Sequence, residues 1–164
     1  MEIDFSEINY LQDPSFKDLH ADYEQFLLSM IGPTVIDITG LNTNKHRVFI
    51  TLLQGDEPSG LIAIHRWLSA LERSKPPTTN LRFIICSVEA ASKSPLFSKR
   101  YIQGAKDINR CFGHDEKIIN INSNHDQNKF KGCYQRAKLI ENAIREVNPE
   151  VVIDLHNASS PSPA

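Results

Sequence analysis

The sequence lacks the features that mark nucleic-acid-binding, membrane and secreted proteins. Its 164 residues carry a formal net charge of −2, without a run of Lys or Arg, which argues against binding to nucleic acid or anionic lipid. No apolar run approaches the roughly 20 residues that span a bilayer. Residues 1–30 are polar and acidic and have no signal-peptide pattern. We therefore expect no nucleic-acid partner, no membrane association and a cytoplasmic location.

Cysteine is also scarce. The three thiols are Cys86, Cys111 and Cys133, and their spacing forms no CxxC pair. A sparse, odd number is typical of a reducing compartment rather than of a disulfide framework. The sequence thus predicts three small apolar side chains without chemistry of their own.

Three helices are predicted from apolar residues at three- and four-residue steps. The first follows Asp13-Pro14-Ser15 and ends at Gly32-Pro33. The second begins near Pro58 and ends before Pro76-Pro77, and the third stops at Asn148-Pro149. Residues 89–128 have no clear periodicity, and a stretch of this length is usually functional or disordered.

Four strands are predicted, at 34–39, 47–53, 81–88 and 151–155. The last three are nearly continuous apolar runs, which suit strands buried on both faces of a parallel sheet. The order of elements predicts an α/β fold, layered helix–sheet–helix, with a mostly parallel or mixed central sheet. Residues 1–33 are predicted as an N-terminal helical segment, and residues 34–164 as the main domain.

Three polar clusters lie where an α/β sheet binds ligands, which is outside the carboxyl ends of strands. They are Gln54-Gly55-Asp56-Glu57, Asp154-Leu155-His156-Asn157, and Asp107-Ile108-Asn109-Arg110 in the long segment between. Carboxylate and imidazole groups are zinc donors. Taken singly, His156 also fits a satisfied histidine near a strand end, and Glu57 fits a carboxylate favoured by a helix dipole.

In this order, the three clusters resemble the His-Gly-x-Glu, Asp-x-Asn-Arg and Asp-Leu-His motifs of the succinylglutamate desuccinylase/aspartoacylase family, within the zinc carboxypeptidase superfamily. The resemblance spans roughly residues 34–164. It implies a zinc-carboxypeptidase-like fold and a zinc-dependent hydrolase with one ion per site. The implied reaction cleaves the amide or ester bond of an N-acyl amino acid or a similar small carboxylate substrate.

The resemblance also assigns residues. It implies that Glu57 and His156 are two of three zinc ligands, and that Asn109 and Arg110 bind the substrate carboxylate. Arg100 stands before Tyr101 much as a second substrate arginine does in some relatives. Asp154 lies two residues before His156, so both side chains leave one face of a strand, and Asp154 would orient the imidazole.

The sequence departs from the family pattern at two points. Gln54 occupies the position of the first zinc ligand, a histidine in the family, so we expect zinc to bind weakly or not at all. The remaining histidines between Gln54 and His156 are His65, His114 and His125, and we expect none of them to replace it. No Glu follows Glu150, so no catalytic general base is assigned.

The second departure predicts a partial domain whose sheet has an exposed apolar edge. We expect a fragment, a truncated product, or one part of a larger assembly or oligomer. Three interpretations stay open. In one of them the chain is a generic α/β domain and the motif matches are accidental, and the other two concern function. One is a hydrolase impaired by Gln54, and the other is a non-catalytic relative that binds an acidic small molecule or a protein partner.

Overall fold

A computed structural model describes residues 4–15, 18–71, 75–113 and 125–157, with only the backbone for 125–131. The strands are β1 (Asn9–Gln12), β2 (Thr34–Ile38), β3 (Asn42–Thr51), β4 (Thr79–Ile85) and β5 (Val151–Leu155). The helices are α1 (Tyr23–Ser29), α2 (Ser59–Ala70), α3 (Val88–Ala91) and α4 (His125–Arg145), and a 3₁₀ turn spans Ile108–Arg110. No helix within the described ranges is both long and apolar enough to cross a membrane.

The five strands form one sheet in the order β1-β2-β4-β3-β5. Strand β3 runs parallel to both of its neighbours, β4 and β5. Strand β1 is parallel to β2, whereas β2 and β4 are antiparallel. The predicted α/β fold with a mostly parallel, mixed sheet is therefore confirmed.

Alternating side chains of the central strands divide the core into two layers. Ile36 and Phe83 face one side of the sheet, where they pack with buried residues of α1 and α2. Val35 and Ile84 face the other side, where they pack with buried residues of α4. Because both faces are covered, the central strands are apolar along most of their length, as their sequences predicted.

The N-terminal region differs from the prediction. The first helix begins only at Tyr23, where the Asp22 carboxylate accepts a hydrogen bond from the Gln25 N–H at 2.8 Å. Ser15, the predicted start, instead donates its N–H to Asp18. Strand β1 was missed because it has four residues, all exposed, and shows no alternation. Residues 9–12 therefore extend the same sheet as the strands after residue 33.

The C-terminal strand also differs from the prediction. Strand β5 was predicted as buried on both faces, but Val151, Val152 and Ile153 are 44%, 45% and 39% exposed. The reason is its position at the edge of the sheet, where β3 is its one partner among the described strands. An exposed apolar edge, as the sequence predicted, is thus present at β5.

The segment predicted as irregular contains short elements. Helix α3 follows β4, and the 3₁₀ turn holds three of the four residues of the Asp107-Ile108-Asn109-Arg110 cluster. Helix α4 begins at His125, inside this segment, and ends at Arg145, shortly before Asn148-Pro149. Residues 114–124 lie outside the described residues.

A buried arginine fastens α4 to the sheet. Arg82 of β4 is 6% exposed and makes a two-pronged contact with Asp37 of β2, with both hydrogen bonds 2.7 Å long. Its remaining nitrogen donates to the Ala143 carbonyl at 2.6 Å and to Glu146 at 2.8 Å. The planar guanidinium group can direct its N–H groups to two carboxylates and a carbonyl at the same time.

Replacing Arg82 by Met should destabilise the fold, because Asp37 and the Ala143 carbonyl then lose their donor. Loss of one partner of a buried ion pair is costly, and since the carboxylates are partly exposed we expect about 2–4 kcal/mol. Urea unfolding would measure the free energy change. Arg66→Met, on the exposed face of α2, is the matched control and should change stability by less than about 0.5 kcal/mol. Equal effects of the two substitutions would contradict the assignment.

Candidate metal and substrate site

The site forms where two parallel strands end side by side. Strands β3 and β5 are paired with Thr51 opposite Leu155, so the residues that follow each strand emerge at one edge of the sheet. Gly60 permits this arrangement, because a Cβ atom at that position would collide with the Thr51 side chain and press on Leu155. Helix α2 can therefore begin directly against both strand ends.

Glu57 and His156 meet at this edge. The Glu57 Oε2 atom lies 2.7 Å from His156 Nδ1. The same carboxylate oxygen accepts a hydrogen bond from the Asn157 N–H at 3.2 Å. Ser59 at the start of α2 also donates to the Asn157 side chain. These contacts join the loop after β3 to the end of β5.

Asp154 holds the other side of the imidazole. Its Oδ2 atom lies 2.6 Å from His156 Nε2. This distance follows from the alternation of side chains on a strand, which points residues two apart to one face. An imidazole with a carboxylate on its far nitrogen has a fixed orientation and higher basicity, as metal-binding histidines generally do.

The charges around His156 favour its protonated form. Partial burial lowers the pKa of His156, but the hydrogen bond to Glu57 and the charge and hydrogen bond of Asp154 raise it more. The net result is a pKa above the ordinary histidine value of about 6.5. Without a metal, the imidazolium can donate to both carboxylates at once.

Gln54 is buried, and it is two residues after a backbone position in the left-handed region. It is 1% exposed, and its Nε2 donates to the two Asp107 carboxylate oxygens at 3.1 and 3.3 Å. Among the described residues, its Oε1 has no hydrogen-bond partner although it is buried. Just before it, Leu52 has a φ of 57°, a left-handed conformation that is costly for a residue with a side chain.

Arg100 lies closer to the site than its sequence position indicated. Its Nη2 atom is 3.1 Å from Asp107 Oδ2, and its Nη1 atom is 3.7 Å from Glu57 Oε1. The Gly55 N–H donates to the Arg100 carbonyl at 2.8 Å. A Cβ at Gly55 would collide with the Lys99 carbonyl, so glycine is needed for this close approach.

Asp107 is a site residue to which the sequence analysis gave no role. It binds Gln54 and Arg100 through its carboxylate, and its Oδ1 also accepts the Asn109 N–H at 3.0 Å. The signal was its place at the head of the Asp-x-Asn-Arg cluster. Asn109 and Arg110 follow on the 3₁₀ turn, and both are exposed.

Among the described side chains, His156 is the histidine that contacts Glu57. His65 is buried on α2, where its Nε2 lies 3.1 Å from the Leu19 carbonyl and its ring packs against Phe26. The contacts of His65 are with Leu19, His20 and Phe26 and not with Glu57. His114 lies outside the described residues, and the side chain of His125 does as well.

A comparison with protein-family models gives a match over residues 52–163 to the succinylglutamate desuccinylase/aspartoacylase catalytic domain. The matched range includes all three polar clusters. The chain belongs to this family. No curated protein and no solved structure gave a match.

The succinylglutamate desuccinylase/aspartoacylase family is generally zinc-dependent, so the donors were tested against a zinc ion. No group of three His, Cys, Asp or Glu side chains suited to a metal is found among the described residues. Glu57 and His156 do converge, and two donors of one tetrahedral ion are about 3.3 Å apart. The unpartnered oxygen of Gln54 is a third, neutral donor. The described residues therefore supply two converging charged donors and one neutral oxygen, which do not by themselves complete a zinc site.

The free energy of unfolding of the metal-free chain should depend on the protonation of His156. Since its pKa is raised in the folded state, this contribution is complete below about pH 6.5 and is lost as the pH rises through the folded-state value. Urea unfolding at a series of pH values would measure the loss. His156→Gln should remove this component, and His46→Gln, on the distant part of β3, should retain it. An unchanged pH profile in His156→Gln would contradict the prediction.

Proposed function

We propose that this chain binds zinc through Glu57 and His156, with Gln54 as a weak third ligand, and hydrolyses an amide or ester bond of a small carboxylate substrate at a reduced rate. The observation that carries the proposal is the 2.7 Å contact between Glu57 and His156, with Asp154 behind the imidazole. Membership of the family supports the hydrolytic chemistry. When bound, zinc supplies Lewis acidity to the scissile carbonyl and to a water molecule.

The residues around the donors have separate roles in this proposal. Asp154 keeps the proton on His156 Nε2, which leaves Nδ1 available to the cation. Asp107 accepts a hydrogen bond from Gln54 Nε2 and so fixes the side-chain amide of Gln54. The Gln54 Oε1 atom is then left to face a ligand. We assign no general base among the described residues.

Arg110 is the proposed anchor for the substrate carboxylate. It is exposed on the 3₁₀ turn, and it forms no ion pair with any residue in the described part of the chain. Arg100, by contrast, is already engaged with Asp107 and Glu57. A free guanidinium presents a planar pair of donors that matches a carboxylate. An acidic N-acyl amino acid is therefore the proposed substrate class, with Asn109 as a second polar contact.

The second candidate is a non-catalytic relative that binds an acidic small molecule. Two observations favour it over the first. Gln54 is a neutral donor where the family has an imidazole, and the Arg100 guanidinium stands 3.7 Å from Glu57 Oε1. Positive charge beside a ligand carboxylate opposes the binding of a second cation. In this case, Arg110 binds the anion, and Arg100 keeps its contacts with Asp107 and Glu57.

Gln54→His should raise zinc affinity by more than about 100-fold, because a ligand change exceeds the 10–100-fold effect typical of the groups behind the ligands. The new imidazole can donate one N–H to Asp107, as Gln54 does now, and offer its other nitrogen to zinc. Competition with a chromogenic chelator would measure the dissociation constant. Gln54→Leu is the control for burial at this position and should bind zinc less well than the wild type.

The same series separates the two candidate functions. Weak zinc binding and slow hydrolysis by the wild type, both increased in Gln54→His, support the hydrolase. Zinc binding only in Gln54→His supports the non-catalytic relative. If Glu57→Gln and His156→Gln leave the zinc affinity of Gln54→His unchanged, the proposed site is wrong.

Arg110→Ala should weaken recognition of acidic substrates. Loss of a charge-assisted hydrogen bond is worth about 1.5–3 kcal/mol, so we expect KM for an acidic N-acyl amino acid to rise about 10–100-fold. The measurement compares KM for acidic and neutral N-acyl amino acids, in the Gln54→His background if the wild type is too slow. Arg66→Ala on α2 is the control. An equal rise in KM for both substrate types would argue against a carboxylate contact.

A further inference from the structure

Two of the three cysteines lie together behind the candidate site. Cys111 directly follows the 3₁₀ turn, and Cys133 lies on α4, so 21 residues separate them in the chain. Their sulfurs nevertheless lie beside two adjacent residues of the chain, because the Cys133 sulfur accepts the Lys106 N–H and the Cys111 thiol donates to the Asp107 carbonyl, and both side chains belong to one buried cluster. Both residues are 3% exposed, and both are free cysteines. The spacing in the sequence had given no sign of a pair.

The surroundings of Cys133 stabilise a thiolate. The Lys106 N–H donates to the Cys133 sulfur at 3.3 Å. The neighbouring Cys111 thiol is the largest influence that lowers the pKa of Cys133, and the backbone of Lys106 and the positive charge of Arg136 lower it further. A thiolate supported in this way is the nucleophilic form of cysteine.

Cys133 is also accessible to a small reagent. It lines a small cavity with Lys106, Arg136 and Tyr101. The cavity is small and partly open to solvent, and Tyr101 is 47% exposed. The low exposure of the sulfur itself limits access to a molecule of the size of hydrogen peroxide.

We propose that Cys111 and Cys133 form a redox modification site that hydrogen peroxide converts into an intramolecular disulfide. The Cys133 thiolate attacks one peroxide oxygen, which forms an S–O bond, breaks the O–O bond and releases hydroxide. The hydroxide takes up the proton that Cys133 released when its thiolate formed, and becomes water. The Cys111 sulfur then attacks the Cys133 sulfur, the S–S bond forms as the S–O bond breaks, and the hydroxyl group leaves as water with the proton of Cys111. Two thiols lose two electrons and peroxide gains them.

Cys86 supplies an internal control for this chemistry. It is 0% exposed, and burial is the main cause that raises its pKa. A buried thiol with a raised pKa is inert towards oxidants. Reaction should therefore be confined to two of the three cysteines.

Oxidation would act on the loop that carries Asp107. The Cys111 thiol donates to the Asp107 carbonyl at 3.5 Å, and this hydrogen bond is lost when the sulfur no longer carries a proton. The disulfide instead ties the 3₁₀ turn to α4 covalently. Asp107 holds both Gln54 and Arg100, so the redox state of the pair is linked to the geometry of the candidate site. The oxidation itself does not depend on the proposed function.

The test is thiol mapping of the folded wild-type chain after brief treatment with dilute hydrogen peroxide. Free thiols are alkylated in denaturant, and peptides are compared by mass spectrometry with and without a reductant. We expect loss of two of three alkylation sites, a Cys111–Cys133 peptide pair that reductant separates, and full alkylation of Cys86. Retention of all three thiols, higher oxidation of single sulfurs, or pairing that includes Cys86 would overturn the proposal.

Single substitutions confirm the pairing. Cys86→Ala should form the same disulfide as the wild type. Cys111→Ala should leave Cys133 without a resolving thiol, so that dimedone, which labels sulfenic acid, marks Cys133 after peroxide treatment. Circular dichroism first verifies that each variant is folded. Because the mapping on the wild type needs no substitution, the proposal is decided even if a variant fails to fold.

Discussion

The parallel pairing of β3 with β5 is the constraint on which the site depends. It sets Thr51 opposite Leu155, so the loops after both strands leave the sheet at one point. Glu57 and His156 are 99 residues apart in the chain, and no local interaction could hold them within hydrogen-bonding distance. Gly60 completes the arrangement, since a side chain there would push α2 away from both strand ends.

Charge balance explains how so many acidic groups share this edge. Glu57, Asp107 and Asp154 lie around one short loop, where their mutual repulsion would be strong in a partly buried setting. Arg100 bridges Glu57 and Asp107, and protonated His156 bridges Glu57 and Asp154. In a metal-free chain, these two cations neutralise the carboxylates, as a divalent ion does when carboxylates bind it. Metal binding would therefore compete with a proton on His156 and with the guanidinium of Arg100.

Two buried arginines hold α4 against the rest of the molecule. Arg82 joins its C-terminal end to the sheet, as described above. Arg136, near its middle, is 2% exposed and pairs with Glu89 at 3.0 Å. The same guanidinium donates to the backbone carbonyl of Asp4 at 2.5 Å, which fastens the N-terminal segment to the helix. The position of α4, and with it the approach of Cys133 to Cys111, thus rests on ionic contacts as much as on apolar packing.

The sequence by itself determined the classes of element and the family. A strand that is buried on both faces needs apolar side chains at nearly every position, so a continuous apolar run indicates it. A helix that is buried along one stripe needs them at every third or fourth position, so periodic apolar residues indicate it. The three polar clusters can be read directly from the order of residues, so Gln54, Glu57 and His156 could be named as candidate site residues from the sequence.

Only the tertiary structure decided the features that depend on residues distant in the chain. The edge position of β5 exposes residues that in a central strand would be buried. The role of Arg100 required the backbone contact with Gly55, and the pairing of Cys111 with Cys133 required the packing of α4. Strand β1 shows no apolar alternation because an exposed edge strand buries little. In each case, the stabilising contacts join segments that are distant in the chain. The residues of one segment alone therefore do not predict them.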